Sequence, residues 1–240
     1  MLQDRRYCYP LTISDHRSRY LIECEGVEST KQDFAFNIFE KAFKEYGLPK
    51  AIRTDNGVPF SSPNGLFNLS KLSVWWLGLG IDVERIEPGK PQQNGRHERM
   101  HLTLKKEATK PAGKNFLEQQ EKFEEFKAIY NLERPHEALE MKVPAQLYNP
   151  SNRQYSGIKP ILYTQCDRVI EVTSCGRMCL HGKKINLSRV FAGQSIGLSE
   201  VEDKIWLVRF MDYDLGYFDI DSSIFEPIEN PFKAKVLPMS

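Results

Sequence analysis

No apolar run in this sequence approaches the roughly 20 residues a helix needs to cross a bilayer, so no membrane partner is expected. The opening residues, Met1-Leu2-Gln3-Asp4-Arg5-Arg6, lack the apolar stretch of a secretory signal. Cysteine is sparse and odd in number: Cys8, Cys24, Cys166, Cys175 and Cys179. Such a set gives no disulfide framework and suits reduced thiols in a cytoplasmic protein. Cys175-x3-Cys179-x-His181, with Cys166 upstream, lacks finger or ribbon spacing and lies in a strand-like segment. Small half-buried side chains are therefore preferred there to a zinc site. Charge of one sign is also missing in bulk, since the net charge is only +1. That leaves a local basic surface as the remaining route to nucleic acid. There is no internal repeat and no low-complexity segment.

What is present is an ordinary globular composition, 40% apolar and 27% charged over 240 residues. One large domain or two smaller ones are expected. A chain of this length buries roughly 70–75% of its unfolded surface and needs no covalent staples. Residues 8–13 and 18–24 read as strands of a hairpin around Ser14-Asp15-His16-Arg17. A helix follows, capped by Ser29 with Gln32 completing a capping box, and with Phe36, Phe39, Ala42, Phe43 and Tyr46 as its stripe. Residues 50–54 form a short strand that ends at Asp55, and residues 56–68 a loop. A helix over 69–79 is expected to turn Leu72, Trp75, Trp76 and Leu79 to one side. A strand over 81–86, a helix from Asn94 to Lys106 and a helix over 116–132 complete an α/β arrangement. After Pro150 the pattern becomes short alternating runs punctuated by Gly176, Gly182, Gly193, Gly197 and Gly216. That pattern suggests a small all-β barrel of SH3 type.

Two stretches carry chemistry. Arg53-Thr54-Asp55-Asn56-Gly57-Val58-Pro59-Phe60 places a carboxylate at a strand end, where α/β folds collect ligand-binding groups. Asp55-Asn56-Gly57 taken alone is also an ordinary turn. Pro88-Gly89-Lys90-Pro91-Gln92-Gln93-Asn94-Gly95-Arg96-His97-Glu98-Arg99 places another carboxylate in the first turn of a basic helix, where the positive helix end favours it. A solvated helix glutamate is the plainer alternative. Lys105 lies seven residues beyond Glu98 and so shares its helix face. His97 and His101 read as polar lining or DNA contacts rather than ligands.

Both stretches, with Tyr130-Asn131-Leu132-Glu133-Arg134-Pro135-His136-Glu137-Ala138-Leu139 and then Pro144 and Tyr148, resemble the DDE-type insertion-sequence transposases and retroviral integrases. The resemblance runs from about Arg5 to Tyr148. It implies an RNase H-like catalytic core over 1–148, incomplete at its first strand, then a linker over 149–160, the small β-barrel over 161–228 and a tail over 229–240. It further implies DNA strand cleavage and strand transfer with Mg²⁺ or Mn²⁺, and Asp55 and Glu98 as catalytic metal ligands. Lys90, Gln92, Gln93, Asn94, Arg96, Arg99, Lys105 and Lys106 become candidate DNA contacts. Transposon ends and target DNA would be the partners, in the bacterial cytoplasm, with a homo-oligomer at full length. Forty-two residues lie between Asp55 and Glu98, somewhat more than the usual family interval.

The chain departs from the family at one place. The first acidic ligand lies in a Trp-x-x-Asp-Phe-type motif upstream of the segment that Arg5 to Thr12 resembles. Asp15 matches a turn residue of the family, not that ligand. The expectation is a truncated and inactive transposase fragment, with a non-enzymatic DNA- or transposase-binding module, or a decayed gene product, as the alternatives.

Overall fold

The computed structural model describes residues 1–87 and 90–232. Pro88 and Gly89 of the second motif, and the expected tail beyond 232, lie outside them. The chain divides into two compact units, Met1–Pro49 with Ile86–Tyr155, and Lys50–Arg85 with the chain from Ser156 onward. Sequence placed 50–85 with the first domain; those residues cluster instead with the C-terminal segment.

In the first unit, β1 (Tyr9–Ser14) and β2 (Leu21–Val27) pair antiparallel, with Thr12 opposite Cys24. Helix α1 (Gln32–Tyr46) buries Ala35, Ile38, Phe39, Ala42 and Phe43. Its cap differs from expectation. Lys31 holds the N-cap position with no side-chain cap bond, and the Ser29 hydroxyl accepts from the Lys31 N–H one step too early. Helices α3 (Gly95–Glu107) and α4 (Phe116–Leu132) follow. Met100, Leu104 and Ala108 recur every fourth residue and meet Phe123, Phe126 and Tyr130 of α4 and Leu21 and Cys24 of β2 in one core.

Helix α4 is strongly polar, and its amides explain why. Asn115 caps it through the Glu118 N–H. Buried Asn131 accepts from the Leu21 N–H at 2.8 Å and donates to the Leu21 carbonyl at 2.9 Å. Gln120 accepts from the Gly26 N–H and donates to the Cys24 carbonyl. These side chains lace α4 to the β2 backbone. Part of the stretch expected as a linker is tied down in this unit: the Leu48 N–H donates to the Arg153 carbonyl, and the Ser151 N–H and hydroxyl donate to the carbonyls of Tyr46 and Leu48.

Glu23 is 1% exposed between Lys41 at 3.5 Å and Lys127 at 3.6 Å. Burial pushes its carboxyl above the usual range, against the pull of Lys127 and Lys41. A raised folded-state pKa contributes stability in full below the unfolded value, and that contribution is lost as pH rises through the folded value. Glu23→Gln is therefore expected to match the parent's thermal midpoint at about pH 4 and to equal or exceed it at about pH 7.5. A clearly lower midpoint at the higher pH would show that the two lysines outweigh burial.

In the second unit, β3 (Ala51–Thr54) and β4 (Asp82–Arg85) pair in parallel, Thr54 opposite Arg85, with α2 (Lys71–Gly78) between them in sequence. Ser70 and Ser73 form the α2 capping box. Leu72, Ser73, Val74, Trp76 and Leu77 are all buried, so α2 is enclosed on most of its circumference instead of presenting the single expected face; Trp75 is only half-buried.

The C-terminal strands are β5 (Arg168–Glu171), β6 (Arg177–Leu180), β7 (Lys183–Asn186), β8 (Ser195–Glu202), β9 (Ile205–Phe210), β10 (Tyr213–Asp219) and β11 (Ile224–Pro227). They form a five-stranded antiparallel sheet in the order β11-β10-β9-β8-β5 and a separate β6–β7 hairpin. Alternate residues of β6 and β9 are buried, as a one-sided sheet requires. Among the described residues no pairing joins β5 to β11, so the sheet is open where a closed barrel was expected. Among the described residues the β6–β7 strands, which closure would recruit, form a ladder only with each other. Leu69, Val74 and Leu77 from the α2 segment share one core with Met178, Phe191, Val208, Phe210 and Phe218. That shared core is why 50–85 clusters with this unit. Phe232, expected in the tail, is buried, its ring 4.6 Å from Tyr213.

Candidate functional site

Asp55 belongs to the second unit. It follows β3 directly, after buried Thr54. Beside it, Arg53 Nε and Nη2 reach Glu84 Oε2 at 3.0 and 2.9 Å, so the neighbouring carboxylate on β4 is already neutralised. Asp55 is exposed and accepts from the Gly57 N–H at 2.9 Å through one oxygen, an Asx turn. Arg85, at the end of β4, donates to the Asn68 carbonyl at 2.8 Å and so fastens the loop that follows Asp55.

Glu98 belongs to the first unit. A 3-10 turn over Pro91–Asn94 leads into α3, and Glu98 stands exposed in the first helical turn. The buried stripe at 100, 104 and 108 fixes which side of α3 faces inward, leaving Glu98, Arg99, Lys105 and Lys106 exposed. Lys90 and Gln93 are both engaged by Glu87, which Gln93 clasps through its amide while Lys90 pairs with it. These two residues thus shape the loop before α3. Asn94 makes no side-chain cap bond, and Gln92 is exposed.

Arg96 Nη1 donates to the His16 carbonyl at 3.1 Å, joining α3 to the β1–β2 turn. Asp15 is spent on that turn, accepting from both the N–H and the hydroxyl of Ser18 at 2.6 Å. The turn carries Arg19 with a φ of 63°. Burial, then Arg96, with a smaller share from Arg99, pulls the Arg19 guanidinium below its usual range. An anion relieves the repulsion that Arg19 feels from Arg96 and Arg99, and phosphate matches a planar guanidinium. Sequence reading missed Arg19 because Ser18-Arg19 reads only as the start of a strand.

His97 and His101 face β1. The Thr12 hydroxyl lies 3.1 Å from His97 Nε2 and 2.7 Å from His101 Nε2, the two Nε2 atoms are 3.1 Å apart, and Ser14 Oγ lies 3.0 Å from His97 Nδ1. Burial, with His101 adding, pushes His97 down to about 4, so its ring is neutral at physiological pH.

As acceptor-only oxygen donors, Asp55 and Glu98 have the chemistry for Mg²⁺ or Mn²⁺. Among the described residues no group of three or more His, Cys, Asp or Glu side chains is arranged to hold a metal ion. Asp55 and Glu98 come from different units, and two carboxylates by themselves hold a pair of cations poorly.

Residues 79–144 match the family model described as the integrase core domain. That span includes β4, Glu98, α3, α4 and Arg134-Pro135-His136. Over 106 residues the chain is 33% identical to the Gag-Pol polyprotein of baboon endogenous virus (strain M7), covering 43% of this chain and 6% of that protein. Over 137 residues it is 27% identical to an uncharacterized 39.2 kDa protein of insertion element IS476 from Xanthomonas euvesicatoria, covering 57% of this chain and 38% of that protein. The chain thus spans well under two thirds of either relative. A chain of the simian T-cell lymphotropic virus intasome, solved with PP2A regulatory subunit B56 gamma, matches 86% of this chain and 76% of its own at 15% identity and a TM-score of 0.47.

Proposed function

We propose, from the premise that residues 79–144 carry integrase-core sequence, that this chain is the catalytic-core portion of a DDE-type transposase acting on DNA. The core is RNase H-like and the small β unit is an accessory domain. One observation carries the reading. Within the matched span, Glu98 stands exposed in the first turn of α3, flanked by Arg96 and Arg99. An exposed carboxylate on a helix that also carries guanidiniums offers both a hard metal ligand and phosphate-binding groups.

Asp55 and Glu98 offer the hard oxygen ligands. Arg19, Arg96, Arg99, Lys105 and Lys106 hold the phosphate backbone, and Lys90 and Gln93 keep the loop before α3 in shape. The Asx turn at Asp55 orients its carboxylate before DNA arrives. When bound, divalent cations activate the attacking oxygen and stabilise the leaving one. A third acidic ligand beyond Asp55 and Glu98 is required. Element ends and target DNA are the partners, and the working form is a homo-oligomer.

Nicking of supercoiled DNA tests this reading. With a third carboxylate in place, the protein is expected to nick faster in Mg²⁺ or Mn²⁺ than without them. Asp55→Asn and Glu98→Gln should each remove that gain by about 10³-fold, the several kcal/mol that metal-borne charge stabilisation supplies. A gain that survives both substitutions would overturn the assignment.

A further inference from the structure

We propose that Thr12, His97 and His101 form a binding site for a borderline-soft divalent transition-metal ion of the zinc class, clamping α3 to β1. The site uses neither Asp55 nor the Glu98 carboxylate and stands whether or not the chain acts on DNA.

The sequence over 97–101 is His-Glu-Arg-Met-His. Histidines four apart on a helix project from one face and form a familiar chelating pair. Spacing alone is weak evidence, since such a pair often only lines a polar surface. The geometry adds what spacing lacks. Thr12 Oγ1, His97 Nε2 and His101 Nε2 form a triangle with edges of 3.1, 2.7 and 3.1 Å. Atoms at about 2.1 Å from a common ion in octahedral arrangement stand about 3.0 Å apart, so this triangle has the size of one octahedral face. All three atoms can present a lone pair.

The surroundings are compatible with the required tautomer. Ser14 Oγ lies 3.0 Å from His97 Nδ1. An Nδ1–H donated to that hydroxyl leaves Nε2 bare, the arrangement by which an outer hydrogen bond orients a metal-bound imidazole. Two imidazoles and a hydroxyl favour zinc-class ions over Mg²⁺, which prefers carboxylate and water. Each of the three residues is half-buried, so water would complete the shell. The clamp joins residues 85 and 89 positions apart, so metal binding would be coupled to folding of this unit.

The test is Zn²⁺ binding to the full 240-residue chain by competition with a chromophoric chelator, with the zinc-edge X-ray absorption spectrum of the loaded protein. One ion is expected, in a nitrogen and oxygen shell without sulfur, and it should raise the thermal midpoint. His101→Gln should weaken binding by about tenfold or more, and Thr12→Val, which removes only the hydroxyl, by a smaller factor. Cys175→Ser should change nothing, because that exposed thiol lies outside the cluster. Metal-free melts of each variant confirm that it folds, and the Thr12 variant carries the test if the histidine variant does not. Unchanged affinity in both variants, a sulfur-rich shell, or no binding tighter than about 100 µM would overturn the proposal.

Discussion

Asn131→Ala is expected to lower the stability of the first unit by about 2–4 kcal/mol, although it deletes no apolar surface. Asn131 is 3% exposed, and its amide satisfies both backbone groups of Leu21, itself fully buried. Removing the amide leaves a buried N–H and a buried carbonyl unpaired, at about 1–3 kcal/mol each, partly relieved by relaxation. Phe123→Ala sets the scale from the apolar side: it empties the centre of the α3–α4–β2 core and should cost about 3–5 kcal/mol. Because the chain has two units, the effect should be read locally, as faster hydrogen exchange of the Leu21 amide beside the urea transition. A loss under about 1 kcal/mol for Asn131→Ala would mean that water replaces the amide and that α4 is held by apolar packing alone.

DNA binding should fall by about 10²–10³-fold when salt rises from about 50 to 200 mM. Five cations on the α3 surface and its adjoining turn, Arg19, Arg96, Arg99, Lys105 and Lys106, give a slope of log affinity against log salt near about −4.5 if each neutralises one phosphate. Arg99→Ala should reduce that slope by about 1 and weaken binding alike on every sequence, since a phosphate contact positions without specifying. Arg19→Ala should act similarly, because burial and its neighbours Arg96 and Arg99 already disfavour its charge without an anion present. Binding that ignores salt, or a slope untouched by either change, would place the DNA surface elsewhere. The near-neutral total charge makes this a sharp test, as no bulk excess of cations exists to mask a local loss.

Local signals carried well into the structure. Helix α4 runs over 116–132 as read, because Asn115 caps it and Pro135 follows it. The C-terminal segment forms short strands, as its alternation and its glycine turns imply, because both signals are local. Long-range pairing was not legible. Nothing in the sequence shows that β6 and β7 form a separate hairpin, or that the Leu69 to Leu77 segment shares the core of the C-terminal sheet. The α1 cap went to Lys31 because Ser29 turned its hydroxyl to the nearer Lys31 N–H. At the candidate site, Asp55 and Glu98 stood out through their motifs. Arg19 did not, because its partners on α3 are brought to it only by the turn that Asp15 holds. The His97–His101 spacing was visible, but the hydroxyl of Thr12 that completes the triangle comes from β1.

The central proposal is that Glu98, inside the span matched by the integrase-core model, binds a divalent ion that acts on DNA. It is tested most directly by Mn²⁺ affinity, measured by electron paramagnetic resonance with DNA present, for the parent and Glu98→Gln. A loss of about tenfold or more in the variant, with its fold intact, is the result the account predicts. An affinity that Glu98→Gln leaves unchanged would contradict it.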